Sequence, residues 1–293
     1  MKVLIIQENG RHEENRNFRE CFCLQRSFIK LGNTADVWGL GHENYNTTPD
    51  YEDYDLIINL ENYANTAGNW VPNLKDIDTT KFLWSIDAHC RGTEQYDYEF
   101  SNGKYDILLH STKDYATGGS RVWFPNAYDD TIIDKREVEN RCDVGFCGSM
   151  LNRKMFMDKL DDKYKFIHDN FVLGESMVKA INSYKIHFNQ NLSTDINYRN
   201  FETIGCGIPL VTNENYQYEL LGFRHGVNAM FFSNIGELYG CIDKLLSDKE
   251  FRTSIGSAGY ELAKKHTYTK RVEKLINFYN IINSKKKKNK LSK

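Results

Sequence analysis

The chain has 293 residues, 40% hydrophobic and 27% charged, with a formal net charge of −2. This is an ordinary globular composition, enough for two domains or one large one, and it offers nucleic acid no global electrostatic attraction. Seven cysteines, an odd number without repeated ligand spacing, and an N-terminal apolar run of only residues 3–6 argue against a signal peptide or a membrane span. A reduced, cytoplasmic protein is expected, in the host cytoplasm if the chain is of phage origin.

Residues 1–7 read as a buried strand, and a polar loop with Gly10, Arg11 and His12 follows. A helix is expected over 17–31, where Phe18, Cys21, Phe22, Gln25, Phe28 and Leu31 recur near helical period and Gly32 supplies a stop. Strands are expected at 34–38, 55–60 and 81–86, the last running into Asp87-Ala88-His89, and at 107–109 and 122–124. Strand, glycine-bearing loop, helix and strand begin a parallel α/β sheet, here of five or six strands.

Periodicity lapses after Pro125 into turn-forming, acidic sequence with Asn126, Asp129, Asp130 and Asp134. A second cycle then begins: a strand at 143–147, the loop Gly148-Ser149-Met150, a helix carrying Arg153 and Lys154, a strand at 165–167, a helix at 175–183 and a strand at 185–189. The stretch 196–212, I-N-Y-R-N-F-E-T-I-G-C-G-I-P-L-V-T, sets Arg199 and Glu202 one helical turn apart, then a small-residue turn, then a short apolar strand. A strand at 229–232 and helices at 235–246, 251–264 and 270–282 precede a lysine run. The expected organisation is an N-terminal domain at 1–127, a linker at 128–141, a C-terminal domain at 142–266, a helix at 267–284 that packs back on the N-terminal domain, and a frayed basic tail at 285–293. The fold class is α/β, with two facing Rossmann-like domains.

Ligands of open parallel sheets sit at the carboxyl ends of strands. Gly148-Ser149 follows such a strand and is expected to open a helix, where it could cradle a phosphate or simply cap the helix, with Arg153 as a nearby cation. Asp87 ends another strand and suits either a general base or a cap. His89, two residues on, shares that role or is structural. Arg199 and Glu202 form a donor fork and a carboxylate on one helix face, which suit a phosphate and a diol; an ordinary surface ion pair is the competing reading. Cys21 and Cys23 point to different helix faces and Cys142 and Cys147 have no matching pair, so no metal site is expected. Nucleophile-elbow, phosphate-loop and complete dinucleotide motifs are missing.

The second half, through D-V-G-F-C-G-S-M, K-I-H-F-N-Q-N, the 196–212 stretch and H-T-Y-T-K-R, resembles the C-terminal part of GT-B fold glycosyltransferases, closest to the group-1-like, spore-maturation CgeB type. The first half is similar mainly in layout and in W-S-I-D-A-H and W-F-P-N-A. A second resemblance is to the bacteriophage DNA β-glucosyltransferases. It implies Asp87 as the base that deprotonates the acceptor hydroxyl, and Gly148, Ser149, Arg153, Arg199 and Glu202 as donor-binding residues.

The resemblance implies a nucleotide diphospho-sugar, UDP-linked, as co-substrate, with arginines offsetting the leaving-group charge so that no metal is strictly required. Retaining relatives carry a glutamate eight residues before the position of Glu202, where this chain has Thr194. That departure favours inversion. The acceptor is a glycan, a protein or a hydroxymethylated DNA base, with His89, Arg11 and His12 as candidate acceptor-side residues. A non-catalytic nucleotide-sugar-binding protein on the same fold is the alternative.

Overall fold

The computed structural model describes residues 1–62 and 70–291. The chain divides into two compact units, Met1–Pro125 with Tyr268–Lys293, and Asn126–Thr267. Unit 1 opens with β1 (Lys2–Ile6), α1 (Glu20–Lys30), β2 (Thr34–Trp38), β3 (Leu56–Leu60) and β4 (Thr80–Ser85). It continues with α2 (Ala88–Arg91), α3 (Glu94–Asn102), β5 (Ile107–His110) and β6 (Arg121–Trp123). The strands form one parallel sheet in the order β2-β1-β3-β4-β5-β6. Ile5 lies opposite Val37 and Ile58, and Trp84 lies opposite Leu60 and Leu109. Every residue of β3 and β4 is buried, as expected of parallel strands covered on both faces, and both strands are mainly apolar, with Asn59, Thr80, Lys81 and Ser85 as buried polar exceptions.

Unit 2 contains β7 (Cys142–Cys147), α4 (Lys154–Asp161), β8 (Phe166–Asp169), α5 (Gly174–Asn182), β9 (Tyr184–Asn189) and α6 (Tyr198–Gly205). It is completed by β10 (Leu210–Asn213), α7 (Gln217–Leu220), β11 (Met230–Phe232), α8 (Ile235–Ser247) and α9 (Lys249–Ala263). The sheet order is β11-β10-β9-β7-β8, again parallel. Val144, Phe146, Ile186, Phe188, Val211 and Phe232 build its core against Leu238, Ile242 and Leu245 of α8. In both units the strand order reverses beside the first strand, between β1 and β3 and between β7 and β9. A reversal of this kind opens a crevice at the carboxyl ends of the two strands.

The G-C-G-I-P stretch stops α6 in a defined way. Gly207 has φ +70°, its N–H donates to the Ile204 carbonyl at 3.0 Å, and the Ile208 N–H donates to Thr203 at 3.2 Å. These paired bonds satisfy the last helical carbonyls at a position that favours glycine, and Pro209 then prevents continuation.

The last helix, α10 (Tyr268–Leu291), belongs to unit 1 and packs on α1. It does not fray at the lysine run. Thr80 Oγ1 donates to Asn283 Oδ1 at 3.0 Å and Lys286 Nζ lies 3.0 Å from Asp106, so tertiary contacts hold a turn that like-charge repulsion alone would loosen. Residues 292–293 of the expected tail lie outside the described residues. Among the described residues no helix is long and apolar enough to cross a membrane.

Candidate active site

The unit 2 crevice is lined by the turn after β7 and the turn after β9. Gly148 leaves β7 with φ +155°, and a Cβ there would meet the Phe146 ring at 3.2 Å. The Gly148-Ser149 pair does not open a helix. A further turn, with Asn152 at φ +49°, intervenes, and α4 begins at Lys154 with Arg153 in the capping position. Ser149 is exposed. That extra turn carries Arg153 back across the crevice: its Nε donates to the Gln190 carbonyl at 2.8 Å, its Nη1 to the Ser149 carbonyl at 3.1 Å, and its guanidinium lies over the Phe146 ring.

Arg153 is only 7% exposed, and it forms no carboxylate pair among the described residues. Burial pushes its pKa down. Beside it, Gln190 Oε1 is buried without a hydrogen-bond partner. A buried cation held by neutral carbonyls, next to an unsatisfied polar atom, is chemically prepared for an anion with hydroxyl groups.

Arg199 and Glu202 lie on α6, close to this crevice. They pair at 2.5 Å, with side chains only 18% and 13% exposed, so the ion pair is largely buried rather than a surface contact. Arg199 Nη1 also contacts the Met177 sulfur of α5. Burial is the largest single influence and works against the Arg199 charge, but Glu202 together with Cys147, Tyr184 and Cys206 outweighs it, leaving the net direction upward.

Two polar groups that local sequence does not single out fix α6 in place. His187 of β9 is fully buried and held neutral by burial and by the nearby Arg199 charge. Its Nε2 accepts from the Cys147 N–H at 3.2 Å, which leaves Nδ1 as the donor to Thr203 Oγ1 at 2.5 Å, and Thr203 in turn donates to the Arg199 carbonyl. The loop 190–197 is held by amides. Asn191 Nδ2 donates to the Tyr218 hydroxyl at 2.6 Å, Asn200 Nδ2 donates to Asn191 Oδ1 at 2.7 Å, and the Asn197 side chain caps α6 by accepting from the Arg199 N–H. At Thr194, the position without a glutamate, the main-chain carbonyl accepts from Asn215 and Gln217.

In unit 1 the corresponding crevice holds carboxylates. Asp87 sits at the start of α2 without capping it, 35% exposed, with Arg91 Nη2 at 4.0 Å. Glu61 was not legible as a site residue. It follows β3, its side chain is 4% exposed, and its Oε2 accepts from the N–H groups of Ile86 and Asp87 at 2.7 and 2.6 Å. Its Oε1 lies 3.1 Å from Arg91 Nε. Burial first, and then the Asp87 charge, push the Glu61 pKa up. His89 is half-buried on α2, whereas Arg11 and His12 are exposed in the loop after β1. The arginine that turns inward is Arg19, 14% exposed and 4.0 Å from the Glu8 carboxylate.

Residues 136–277 match the family model described as glycosyl transferase-like. No curated protein matches the chain. Several solved structures share its fold. An alpha-glucosyltransferase in complex with UDP and a 13-mer DNA containing a central A:G mismatch is 11% identical with a TM-score of 0.70, covering 96% of this chain and 100% of that one. The sucrose-phosphate synthase from Thermosynechococcus elongatus is 9% identical with a TM-score of 0.61, covering 97% and 99%. HepE from Anabaena, in complex with UDP and glucose, is 11% identical with a TM-score of 0.60, covering 94% and 99%. The chain therefore has the GT-B glycosyltransferase fold, and its glycosyl transferase-like region spans residues 136–277.

Proposed function

We propose that this protein transfers a sugar from a nucleotide diphospho-sugar, UDP-linked, to an acceptor hydroxyl. The observation that carries the reading is Arg153, a buried guanidinium without a carboxylate partner among the described residues, lying across the β7/β9 crevice. Structural neighbours in complex with UDP, with UDP-glucose, or with UDP and glucose lend support for the nucleotide. Arg153 and Arg199, with the Gly148-Ser149 main chain, stabilise the diphosphate, and Glu202 accepts from the ribose diol. Charge-assisted contacts of this type contribute about 1.5–3 kcal/mol each.

Asp87 acts as the base. The acceptor oxygen attacks the anomeric carbon as its proton passes to the Asp87 carboxylate, the bond from that carbon to the diphosphate oxygen breaks, and the nucleoside diphosphate leaves with the electron pair. The displacement inverts the anomeric centre. Glu61 holds the main chain of Asp87 in position from beneath, and its own charge favours a proton-accepting Asp87.

A second stereochemical reading, retention, is favoured by the neighbouring alpha-glucosyltransferase in complex with UDP-glucose and DNA, because the donor's sugar is itself α-linked. The acceptor class is a glycan, a protein or a modified DNA base, and the DNA-bound neighbours make the last worth testing first. The test is calorimetric titration with UDP and UDP-glucose, followed by incubation with hydroxymethylated DNA and with glycan acceptors, and NMR of the anomeric proton in the product. Saturable UDP binding with transfer supports the reading. UDP binding without transfer or donor hydrolysis supports a non-catalytic nucleotide-sugar-binding protein instead.

A further inference from the structure

A cavity of about 300 Å³ opens in unit 1 at the amino ends of β4 and β5, lined by Lys75, Lys81, Lys104 and Lys286 together with Asp76 and Asp78. It is remote from Asp87. Lys81 is the second residue of β4 and Asp87 follows its end, so at about 3.3 Å per residue the two are roughly 20 Å apart along the strand. Four lysines from three separate segments, the 75–81 loop and strand, the turn at Lys104 and the end of α10, line one space.

Their partners leave charge unspent. Lys81 is 2% exposed, and its ammonium donates to the Leu74 and Ile77 carbonyls at 2.5 and 2.8 Å, which are neutral groups. Lys286 is matched by Asp106 at 3.0 Å. Lys75 and Lys104 form no ion pair among the described residues. Burial, with the charges of Lys286 and Lys104 adding to it, pushes the Lys81 pKa down against the pull of Asp106. An ammonium so placed gains from a nearby anion. The two wall carboxylates disfavour a diffuse anionic ligand. They favour a compact group whose several oxygens can each face a different lysine, and lysine binds phosphate in this way, as a point charge.

We propose that this cavity is a phosphate-binding site, separate from the sugar-transfer site, that takes phosphate or diphosphate groups either free or borne on a nucleic-acid backbone. The site joins the loop 75–79 to the end of α10, so its ligand also ties down the lysine-rich turn of that helix.

The experiment is calorimetric titration of the full chain with inorganic pyrophosphate, in excess UDP so that a diphosphate site in unit 2 is already filled. A parallel arm titrates a double-stranded DNA oligomer by fluorescence anisotropy. The comparison protein is Lys75→Gln/Lys104→Asn. Both positions are exposed, and asparagine tolerates the φ of +52° at residue 104, so the variant should keep its melting temperature. The expected result is saturable pyrophosphate binding that weakens about tenfold or more in the double variant and falls with added salt. DNA binding with the same variant sensitivity assigns the phosphate source to nucleic acid, whereas pyrophosphate binding alone assigns it to the free anion. Absence of saturable binding in both arms, or binding that the double variant leaves unchanged, overturns the proposal. If UDP itself fails to bind, the donor reading fails, and the variant comparison still judges this site.

Discussion

Arg153 Nε donates to the main-chain carbonyl of Gln190 at 2.8 Å, and the two residues stand on opposite lips of the β7/β9 crevice. The bond joins the turns that follow the first and third strands of unit 2, so one side chain both shapes the crevice and supplies its charge. Arg153→Lys keeps a cation but loses the planar fork that reaches Gln190 and Ser149 together. The expected outcome is UDP affinity lower by about 1.5–3 kcal/mol, roughly ten- to a hundredfold, for Arg153→Ala, with Arg153→Lys intermediate. Calorimetry decides it. Wild-type affinity in Arg153→Ala would remove Arg153 from the donor site.

The carboxylates of unit 1 have separable roles. Asp87→Asn should lower the transfer rate by about 10² to 10⁴ and leave UDP affinity unchanged. Glu61→Gln keeps one acceptor for the Ile86 and Asp87 N–H groups but removes the charge beside Asp87. It should therefore lower kcat less than Asp87→Asn does and shift the acidic limb of the pH–rate profile. A profile identical to wild type would reduce Glu61 to a structural residue, and equal loss of transfer and UDP binding in Asp87→Asn would count against the base assignment.

The fold was legible because its strands are apolar runs and its helices carry apolar residues at helical period, both of which are local properties of the sequence. The G-C-G-I-P stop of α6 was legible for the same reason. What stayed hidden is non-local. Glu61 holds the turn at Asp87 across 26 residues, and Arg153 meets Gln190 across 37. His187 looks in sequence like any residue of a buried strand, and only its bonds to Cys147 and Thr203 reveal its part in placing Arg199. Arg199 and Glu202 were visible as a pair, but their burial was not, because the covering α5 comes earlier in the chain. The lysine run at the end of α10 misled in the other direction, since Asp106 and Thr80 lie far away in sequence.

The Arg199–Glu202 pair permits a test that separates stability from binding. Glu202→Gln leaves a buried guanidinium without its countercharge, which should cost about 3–5 kcal/mol of stability. Replacing both residues, as Arg199→Met/Glu202→Leu, removes the two charges together and should recover most of that loss. If the pair also grips the donor, the double variant melts near the wild-type temperature yet no longer binds UDP. A double variant that is stable and binds UDP normally would return the pair to a purely structural role.

Glu99 gives unit 1 a pH dependence of predictable sign. It lies on α3, and its Oε1 accepts from Asn59 of β3 at 2.6 Å, with the Tyr105 hydroxyl in the same cluster. Burial, only partly offset by the bonds from Asn59 and Tyr105, raises its pKa from 4.5 to about 7. Between those two values the folded chain holds a proton that the unfolded chain has released, so unfolding loses protons and stability falls as pH rises. The contribution is fully present below about pH 4.5 and is lost as pH passes about 7, on the order of 3 kcal/mol in total. Glu61, also raised, acts in the same direction. Glu99→Gln cannot ionise and keeps an oxygen for Asn59, so its melting temperature should decline less steeply between pH 5 and 7 than that of the wild type. Parallel slopes for the two proteins would show that Glu99 does not titrate in this range.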